Sequence, residues 1–221
     1  MDTPDWNSKS VGDNVYEPSE DTFLLLDALE KDLDALNKTI VQDGGGGGGG
    51  LILELGSGSG VLTAAMKKAL GSNVHCVAVD INPAACLTTL ETCSLNNVDV
   101  DAVNADLLNW MWKSRCVDVI LFNPPYVRSM ADDDERPDDE NYIGRAWCGG
   151  PEDGADVIRE VLPQIDRVLA DNGVFYLLMI DYNRPEEIAK LMRDEYSMGH
   201  TVVMSRRVPG ESLVVYKFRR L

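Results

Sequence analysis

The segment Asn123-Pro-Pro-Tyr126 carries the most specific chemistry in this sequence. The Asn123 side-chain oxygen and the Pro124 carbonyl oxygen can each accept one N–H, and together they would hold a planar amide or amine nitrogen in line with a methyl group. Pro124 and Pro125 stiffen the turn because they remove two backbone donors, and the Tyr126 ring can stack on a flat group. The motif predicts methyl transfer to a nitrogen with a delocalised lone pair, although these residues alone would also suit a rigid turn after a strand.

A glycine-rich loop predicts where the methyl donor binds. The segment Glu54-Leu-Gly-Ser-Gly-Ser-Gly60 follows a predicted strand, where glycine lets the backbone turn tightly against a ligand. Its spacing differs from the G-x-G-x-x-G fingerprint of dinucleotide sites, and a glycine-rich turn without a ligand stays open on this segment alone. The Glu54 carboxylate suits the cationic amino group of a methionine moiety and not a pyrophosphate, which favours S-adenosylmethionine over NAD. We expect Gly56 and Gly58 to line this cofactor site.

Two aspartates at the ends of the next predicted strands extend the binding site. Asp80 ends the second strand, where an acid can accept hydrogen bonds from both ribose hydroxyls. Asp106 ends the third strand and could accept a hydrogen bond from an adenine amino group, while the apolar Leu107 beside it covers the ring. Either aspartate alone would also suit a helix cap or a turn. Together with the glycine loop they predict a ligand that carries adenosine.

The elements that must position these residues alternate between strand and helix. Strands are predicted at residues 51–55, 74–80, 100–105, 117–122, 173–180, 201–208 and 213–218, and helices at residues 19–36, 61–70, 83–95, 155–169 and 185–196. The alternation indicates an α/β fold with a mostly parallel seven-stranded sheet and helices on both faces. Pro209-Gly210 would turn the last two strands into a C-terminal antiparallel hairpin. Together with the predicted S-adenosylmethionine site, this pattern leads us to expect the Rossmann-like fold of the class I S-adenosylmethionine-dependent methyltransferases.

The length of the chain predicts its domain number, and its net charge limits the classes of partner. The 221 residues suit a single domain, predicted over residues 16–221 after a loose segment of residues 1–15, and the glycines of residues 44–50 predict a flexible loop. A net charge of −17 repels polyphosphates, so we expect no direct contact with nucleic acid and a basic protein as the more suitable partner. The charge alone could also serve solubility. The acidic stretch at residues 132–140 fits either solvated charge or a docking site.

Cysteine usage and hydropathy indicate a compartment. The five cysteines show no C-x-x-C spacing and are expected to be reduced thiols, and we predict no metal site. The first ten residues carry no apolar stretch like that of a signal peptide, and no run reaches the length of a membrane span. We therefore expect no membrane partner and a cytoplasmic location, with the nucleus as a second compartment.

Four motifs together resemble those of the eukaryotic HemK-like glutamine methyltransferases. They are Tyr16-Glu-Pro-Ser-Glu-Asp-Thr22, Glu54-Leu-Gly-Ser-Gly-Ser-Gly60, Asp80-Ile-Asn-Pro83 and Asn123-Pro-Pro-Tyr-Val127. The resemblance covers residues 16–218. It implies an enzyme that uses S-adenosylmethionine to methylate the glutamine side chain in the Gly-Gly-Gln motif of the class-1 translation termination factor. The asparagine-proline-proline-tyrosine signature alone is shared with adenine methyltransferases, whereas the tyrosine-glutamate-proline start is more specific.

The resemblance also implies site residues and partners. Cofactor contacts would come from Thr22, Glu54, Gly56, Gly58, Asp80, Asp106, Leu107 and Asn123, and substrate contacts from Asn123, Pro124, Pro125, Tyr126 and Val127. The catalytic residues among them would be Asn123, Pro124 and Tyr126. Members of this family form a heterodimer with a small zinc-binding activator subunit, which the predicted third strand could receive as a sheet edge. The termination factor would be bound together with its GTPase partner.

Three other functions stay open on the sequence. A nucleic-acid adenine methyltransferase is disfavoured by the net charge and by the lack of a basic patch. A protein lysine methyltransferase, including one that acts on histones, would make no use of Tyr126 stacking because a lysine amine is not planar. A catalytically silent regulatory subunit is disfavoured by the intact Asn123 and Tyr126.

Overall fold

The strands of the described chain form a central mixed sheet and a small second one. The computed structural model describes residues 1–7, 11, 14–43, 49–128 and 142–221. The strands are β1 (Gly50–Leu55), β2 (Val74–Asp80), β3 (Asp101–Asn104), β4 (Val117–Phe122), β5 (Val127–Arg128), β6 (Cys148–Gly150), β7 (Leu169–Ile180), β8 (Met198–Val208) and β9 (Glu211–Arg220). The central sheet has the order β3-β2-β1-β4-β7-β9-β8, with β9 antiparallel to both β7 and β8 and the other pairs parallel. This confirms the predicted mostly parallel seven-stranded sheet with its C-terminal hairpin.

Four of the five predicted helices are present, the first predicted helix is divided, and one short helix in the described chain is additional. The helices are α1 (Glu20–Lys31), α2 (Leu33–Asp43), α3 (Val61–Leu70), α4 (Pro83–Leu95), α5 (Tyr142–Arg145), α6 (Asp156–Val168) and α7 (Pro185–Tyr196). The single helix predicted over residues 19–36 is wrong, because the chain forms two helices that are interrupted at Asp32. The Asp32 carboxylate accepts hydrogen bonds from Tyr176 and Lys217 of the sheet, so a contact from distant strands holds the chain at this break.

Alternate residues of the central strands pack on opposite faces of the sheet. In β1, Ile52 joins a core with α1, α2 and α3, whereas Leu53 joins a core with α6 and α7. In β4, Val119 and Ile120 divide between the same two cores. Because both faces are covered, these strands are nearly continuous apolar runs, as expected for a parallel sheet with helices on both sides.

The strand order reverses between β1 and β4, which is where ligands bind in α/β sheets, beyond the carboxyl ends of the strands. Leu55 at the end of β1 pairs with Val79 of β2 and Phe122 of β4. The glycine loop after β1 and the Asn-Pro-Pro-Tyr segment after β4 therefore leave the sheet side by side, next to Asp80 at the end of β2.

The amino-terminal segment is attached to the domain where it is described. The amino group of Met1 pairs with Glu30 of α1, and Val11 and Val15 are buried. The loose segment predicted over residues 1–15 stays a prediction, since residues 8–10 and 12–13 lie outside the described part of the chain.

Two sequence features lie partly or wholly outside the described residues, and one strand pairing was not predicted. Residues 44–48 of the predicted glycine loop and the acidic stretch at residues 132–140 lie outside the described residues. Gly50 is the first residue of β1. The pairing of β5 with β6 was not expected, since strands of two and three residues show no periodicity that a sequence could reveal.

Candidate active site

The glycine loop makes a tight turn between β1 and α3. Gly56, Gly58 and Gly60 have left-handed backbone conformations, with φ of 64°, 50° and 77°. Gly60 also packs against α4, since a Cβ added there would lie 2.6 Å from the Thr89 Cα. A side chain at any of these three glycines would therefore be strained, and the first two of them line a cleft at the edge of the sheet.

Asp80 joins the end of β2 to the glycine loop. Its Oδ2 accepts a hydrogen bond from the Gly58 N–H at 2.9 Å, and its Oδ1 accepts one from the Asn82 N–H at 2.9 Å. Burial raises the pKa of the Asp80 carboxyl, and the two backbone donors oppose that rise. Asp80 lines the cleft, and each of its oxygens can accept a second hydrogen bond from a ligand.

Glu54 is buried beside this loop. Its Oε2 accepts hydrogen bonds from the Thr63 N–H, at 2.8 Å, and from the Thr63 hydroxyl. Burial raises the pKa of Glu54 to about 8, the Thr63 hydrogen bonds oppose that rise, and the charge of Asp80 adds to it. Neither carboxylate has a cationic side chain among the described groups that shift its pKa. The cleft thus holds two buried acids that a cationic ligand would stabilise.

Asp106 and Leu107 line the cleft after β3. Asp106 is exposed and Leu107 is half-buried, with a φ of 47° that is uncommon for leucine. The loop is held in place because the next backbone N–H, that of Leu108, donates to Gln164 of α6 at 2.9 Å. An exposed carboxylate beside an apolar side chain suits the polar edge and the flat face of an aromatic base.

The Asn123 side chain has one satisfied end and one unsatisfied end. Its Nδ2 donates to Asp21 Oδ2 at 3.0 Å, whereas its Oδ1 is buried and has no hydrogen-bond partner among the described atoms. The Tyr126 hydroxyl donates to the same Asp21 oxygen at 3.1 Å, and burial raises the pKa of Tyr126. Asn123 lines the cleft, and its side-chain oxygen is an acceptor that no described protein group uses.

Contacts from distant elements hold the rest of the Asn-Pro-Pro-Tyr segment. Asn183, which is fully buried after β7, donates from Nδ2 to the Tyr126 carbonyl at 3.0 Å and to the Asp153 carbonyl at 2.8 Å. On the other side, the Val127 N–H donates to the Trp147 carbonyl at 2.8 Å. The backbone of the segment is thus fixed at two neighbouring residues.

The predicted site residues all line one cleft at the carboxyl ends of β1 to β4. They are Thr22, Glu54, Gly56, Gly58, Asp80, Asp106, Leu107, Asn123, Pro124, Pro125, Tyr126 and Val127. Their individual contacts with a cofactor or substrate stay predictions. Tyr126 is more constrained than the sequence indicates, because its hydroxyl is bonded to Asp21 and the residue is almost fully buried.

Known proteins are similar to this chain in both sequence and fold. Residues 22–136 match the family model of the methyltransferase small domain. The human protein Methyltransferase HEMK2 is 38% identical over 212 residues, which cover 94% of this chain and 90% of the human protein. This chain belongs to the HemK-like methyltransferase family. The resemblance inferred from its four motifs is thereby confirmed.

Two further HemK-like relatives extend over most of the chain. The Schizosaccharomyces pombe protein named eRF1 methyltransferase catalytic subunit mtq2 is 32% identical over 220 residues, covering 94% of this chain and 90% of that protein. A solved structure of the E. cuniculi Mtq2-Trm112 complex, described as responsible for methylation of the eRF1 translation termination factor, superposes with a TM-score of 0.66. Its matched chain is 30% identical, and the match covers 94% of this chain and 99% of that one.

The residues of the cleft fit S-adenosylmethionine, the cofactor of this fold class. Two buried carboxylates without a cationic partner in the described residues suit a ligand with a sulfonium and an ammonium group. The remaining acceptors on Asp80 suit ribose hydroxyls, and Asp106 with Leu107 suits adenine.

Sequence reasoning missed two residues that hold this HemK-like site together. Asp21 lies within the segment of residues 16–22, but a carboxylate in the first turn of a helix resembles an ordinary acid near a helix start. Asn183 precedes α7 and resembles a turn residue. No local pattern indicates either role, because their partners Asn123 and Tyr126 are far away in sequence.

The described residues contain neither a membrane-spanning helix nor a cluster of metal-binding side chains. None of their helices is long and apolar enough to cross a membrane. In the same part of the chain, no group of three or more His, Cys, Asp or Glu side chains is arranged to hold a metal ion. The five cysteines are free thiols.

Proposed function

We propose that this methyltransferase transfers a methyl group from S-adenosylmethionine to the side-chain amide nitrogen of the glutamine in the Gly-Gly-Gln motif of the class-1 translation termination factor. The fission-yeast relative is named for eRF1 methylation, and the E. cuniculi complex is described as methylating eRF1, which supports this substrate. The observation that carries the proposal is the buried Oδ1 of Asn123, a residue of the cleft, because this acceptor has no described partner.

The residues of the cleft hold the cofactor through charge and shape. Glu54 and Asp80 supply the negative charge, and the second lone pairs of Asp80 accept from the ribose hydroxyls. Asp106 and Leu107 hold the adenine by its edge and its face. When bound, the cofactor supplies a methyl group made electrophilic by a positively charged sulfur.

Asn123 and Pro124 orient the nitrogen that receives the methyl group. A primary amide carries two N–H bonds, of which Asn123 Oδ1 accepts one and the Pro124 carbonyl accepts the other. Holding both hydrogens turns the face of the nitrogen towards the methyl group for in-line attack. As the nitrogen becomes positive, both acceptors bind it more strongly, so they stabilise the transition state more than the ground state.

The reaction needs no strong base. Neither histidine lines the cleft, since His75 pairs with Asp101 on β3 and His200 stacks on Tyr216 in the hairpin. An alkylated amide nitrogen that carries a positive charge is strongly acidic, so its extra proton passes to water after the transfer. The chain therefore acts on this nitrogen by orientation and electrostatics.

We further propose that the chain forms a heterodimer with a small zinc-binding activator subunit at the β3 edge of the sheet. The E. cuniculi relative is a complex with Trm112, which supports such a partner. β3 ends the sheet, and α4 packs beside it. Leu87, Leu90 and Leu95 of α4 are 69%, 41% and 49% exposed, which is unusual for three leucines of one helix. An apolar helix next to a short open edge suits a protein subunit.

The termination factor is proposed to bind together with its GTPase partner. A chain with a net charge of −17 suits a basic protein surface and repels nucleic acid, which agrees with a protein substrate. The location in the cytoplasm, with the nucleus as a second compartment, stays a prediction.

The proposed function is tested by methyl transfer from radiolabelled S-adenosylmethionine. The chain, co-expressed with the activator subunit, is given the termination factor with its GTPase partner, a Gly-Gly-Gln peptide, a DNA oligonucleotide or histone H3. A termination factor whose motif glutamine is replaced by asparagine is the matched control. We expect label on the motif glutamine alone, located by mass spectrometry. Label on the oligonucleotide or the histone, with none on the factor, would overturn the proposal.

A further inference from the structure

We propose that Asp21 is a positioning residue that determines which end of the Asn123 amide faces the substrate. The inference concerns the same methyl-transfer site and rests on the proposed function. In this role, the buried Asp21 carboxylate of α1 keeps the Asn123 oxygen available as an acceptor. The donor it accepts from is an N–H of the nitrogen that is methylated.

Asp21 is enclosed by hydrogen-bond donors. The residue is only 3% exposed. Its Oδ1 accepts from the Thr22 N–H at 2.7 Å and from the Ser19 hydroxyl at 2.7 Å. Its Oδ2 accepts from Asn123 Nδ2 at 3.0 Å and from the Tyr126 hydroxyl at 3.1 Å. One oxygen is thus fixed to the start of α1, and the other is left for the Asn-Pro-Pro-Tyr segment.

This geometry determines the orientation of the Asn123 amide. An ionised carboxylate can only accept hydrogen bonds, so the group that faces Asp21 Oδ2 at 3.0 Å must be the NH2 end of Asn123. The reversed amide would place two oxygen atoms in close contact in a buried site. The Oδ1 end therefore turns the other way, where no described protein donor meets it.

An unpaired buried acceptor is unfavourable for the folded protein, so the arrangement needs an external reason. A substrate N–H supplies the missing donor. Without the carboxylate, the amide could reverse and satisfy its oxygen within the protein, and the acceptor would be lost to the substrate. The Asp21–Asn123 pair thus keeps an acceptor unsatisfied until the substrate binds.

The same carboxylate oxygen fixes both ends of the catalytic turn. Asn123 and Tyr126 are three residues apart, and both donate to Asp21 Oδ2. Tyr16 and Glu211 are also close enough for the charge of Asp21 to affect their pKa values. The negative charge of Asp21 lies at the NH2 end of the Asn123 amide. It increases the negative partial charge on the Asn123 oxygen, which strengthens this acceptor for the nitrogen that becomes positive.

A reciprocal exchange separates this role from a structural one. In Asp21→Asn, the new amide can donate to the Asn123 oxygen, so the acceptor is lost. In Asn123→Asp, two carboxylates face each other in a buried site. In the double variant Asp21→Asn/Asn123→Asp, the amide at position 21 donates to one carboxylate oxygen at position 123 and leaves the other for the substrate. Only the double variant pairs a donor at position 21 with a carboxylate at position 123 whose other oxygen is directed at the substrate.

The experiment measures single-turnover methyl transfer to the Gly-Gly-Gln peptide, cofactor affinity by calorimetry and thermal unfolding for all three variants with the activator subunit. Asp34→Asn on the exposed face of α2 is the matched control. We expect Asp21→Asn to slow transfer by about 10- to 100-fold with cofactor affinity unchanged within about threefold. The double variant is expected to be at least about tenfold faster than either single variant, whereas a structural role predicts that the two losses add.

A measurement without substrate distinguishes failure of this inference from failure of the proposed function. The Asn123 side-chain NH2 signal, assigned in nitrogen-15 spectra by its loss in Asn123→Ala, should exchange slowly in the parent chain and faster in Asp21→Asn. Slow exchange in both, or parent-like turnover of folded Asp21→Asn, would overturn the inference. A parent chain that shows the protected signal and methylates neither the Gly-Gly-Gln peptide nor the termination factor would overturn the proposed function alone.

Discussion

The Asn183 side-chain nitrogen lies 3.0 Å from the Tyr126 carbonyl oxygen and joins the end of β7 to the turn that carries Asn123. The same nitrogen also donates to the Asp153 carbonyl, while the Asn183 oxygen accepts from the Ile180 N–H. A fully buried side chain with three backbone partners thus supports the catalytic segment from behind.

Asn183→Asp should therefore destabilise the fold and slow catalysis. The change keeps the acceptor for Ile180 but leaves two buried carbonyls without their donor, which costs about 2–4 kcal/mol. For a chain of this size we expect the melting temperature to fall by about 5–10 °C. Asn73→Asp, at an exposed position, is the control for the added charge. Equal melting temperatures for the two variants would show that the Asn183 contacts do not support the fold.

Glu54 should make the ligand-free protein less stable as the pH rises. Its pKa is raised from 4.5 to about 8 by burial, so the folded state holds a proton that the unfolded state releases within this window. The free energy of unfolding is largest below about pH 4.5 and falls by up to ~1.4 kcal/mol for each pH unit until about pH 8, after which this contribution is constant. Urea unfolding at pH 5.5, 7 and 8.5 measures the effect. Glu54→Gln should lose much of this slope, and parallel curves for the two proteins would contradict the assignment.

Substitution of Asp80 should weaken cofactor binding more than substitution of Asp106. Asp106 is exposed and lines the cleft. Asp106→Ala should therefore weaken the binding of S-adenosylmethionine by about 5- to 10-fold, because one hydrogen bond is lost, and leave the melting temperature unchanged. Asp80 also holds the N–H groups of Gly58 and Asn82, so Asp80→Ala should weaken binding by at least about 100-fold and lower the melting temperature as well. Calorimetry and thermal unfolding on both variants test this difference. Equal effects would mean that the two carboxylates are wrongly assigned.

The exposed leucines of α4 should report on the proposed activator subunit. Leu87→Asp and Leu90→Asp each place a charge at an exposed leucine of α4, the helix that packs beside β3. Each should weaken the complex by about 10- to 100-fold if one buried leucine contributes its usual transfer free energy. Val202→Asp is the matched control, because Val202 is 53% exposed on β8 at the opposite edge of the sheet. Co-purification and measured affinity decide the outcome. If only Val202→Asp loses the activator subunit, the subunit binds at the β8 edge and the proposed interface at β3 is wrong.

Local sequence patterns were sufficient for the elements whose signals are local. The helix from Pro83 to Leu95 and the strand from Val74 to Asp80 were predicted with their observed bounds, because a proline at the helix start and an apolar run before an acid are local features. The division of the first predicted helix at Asp32 was missed, because it depends on Tyr176 and Lys217. Local patterns therefore fail where distant side chains determine the backbone.

The candidate site shows the same limit. The sequence predicts Asn123 as an acceptor for the substrate nitrogen, but no local pattern indicates which group holds the other end of its amide. That group is Asp21, whose carboxylate lies 3.0 Å from the Asn123 amide nitrogen although 102 residues separate the two. A second carboxylate at position 123 would meet like charge, so turnover and cofactor binding should both suffer unless position 21 is exchanged as well.

Single-turnover methyl transfer by Asn123→Ala tests the central claim most directly. The variant, purified with the activator subunit, is mixed with radiolabelled S-adenosylmethionine and the termination factor, and cofactor affinity is measured on the same preparation. We predict a rate about 100- to 1000-fold below the parent, since one positioned acceptor is lost from a buried site, with cofactor affinity within about threefold. A folded Asn123→Ala enzyme that methylates the motif glutamine at the parent rate would contradict the assignment of the buried Asn123 oxygen as the acceptor for the substrate nitrogen.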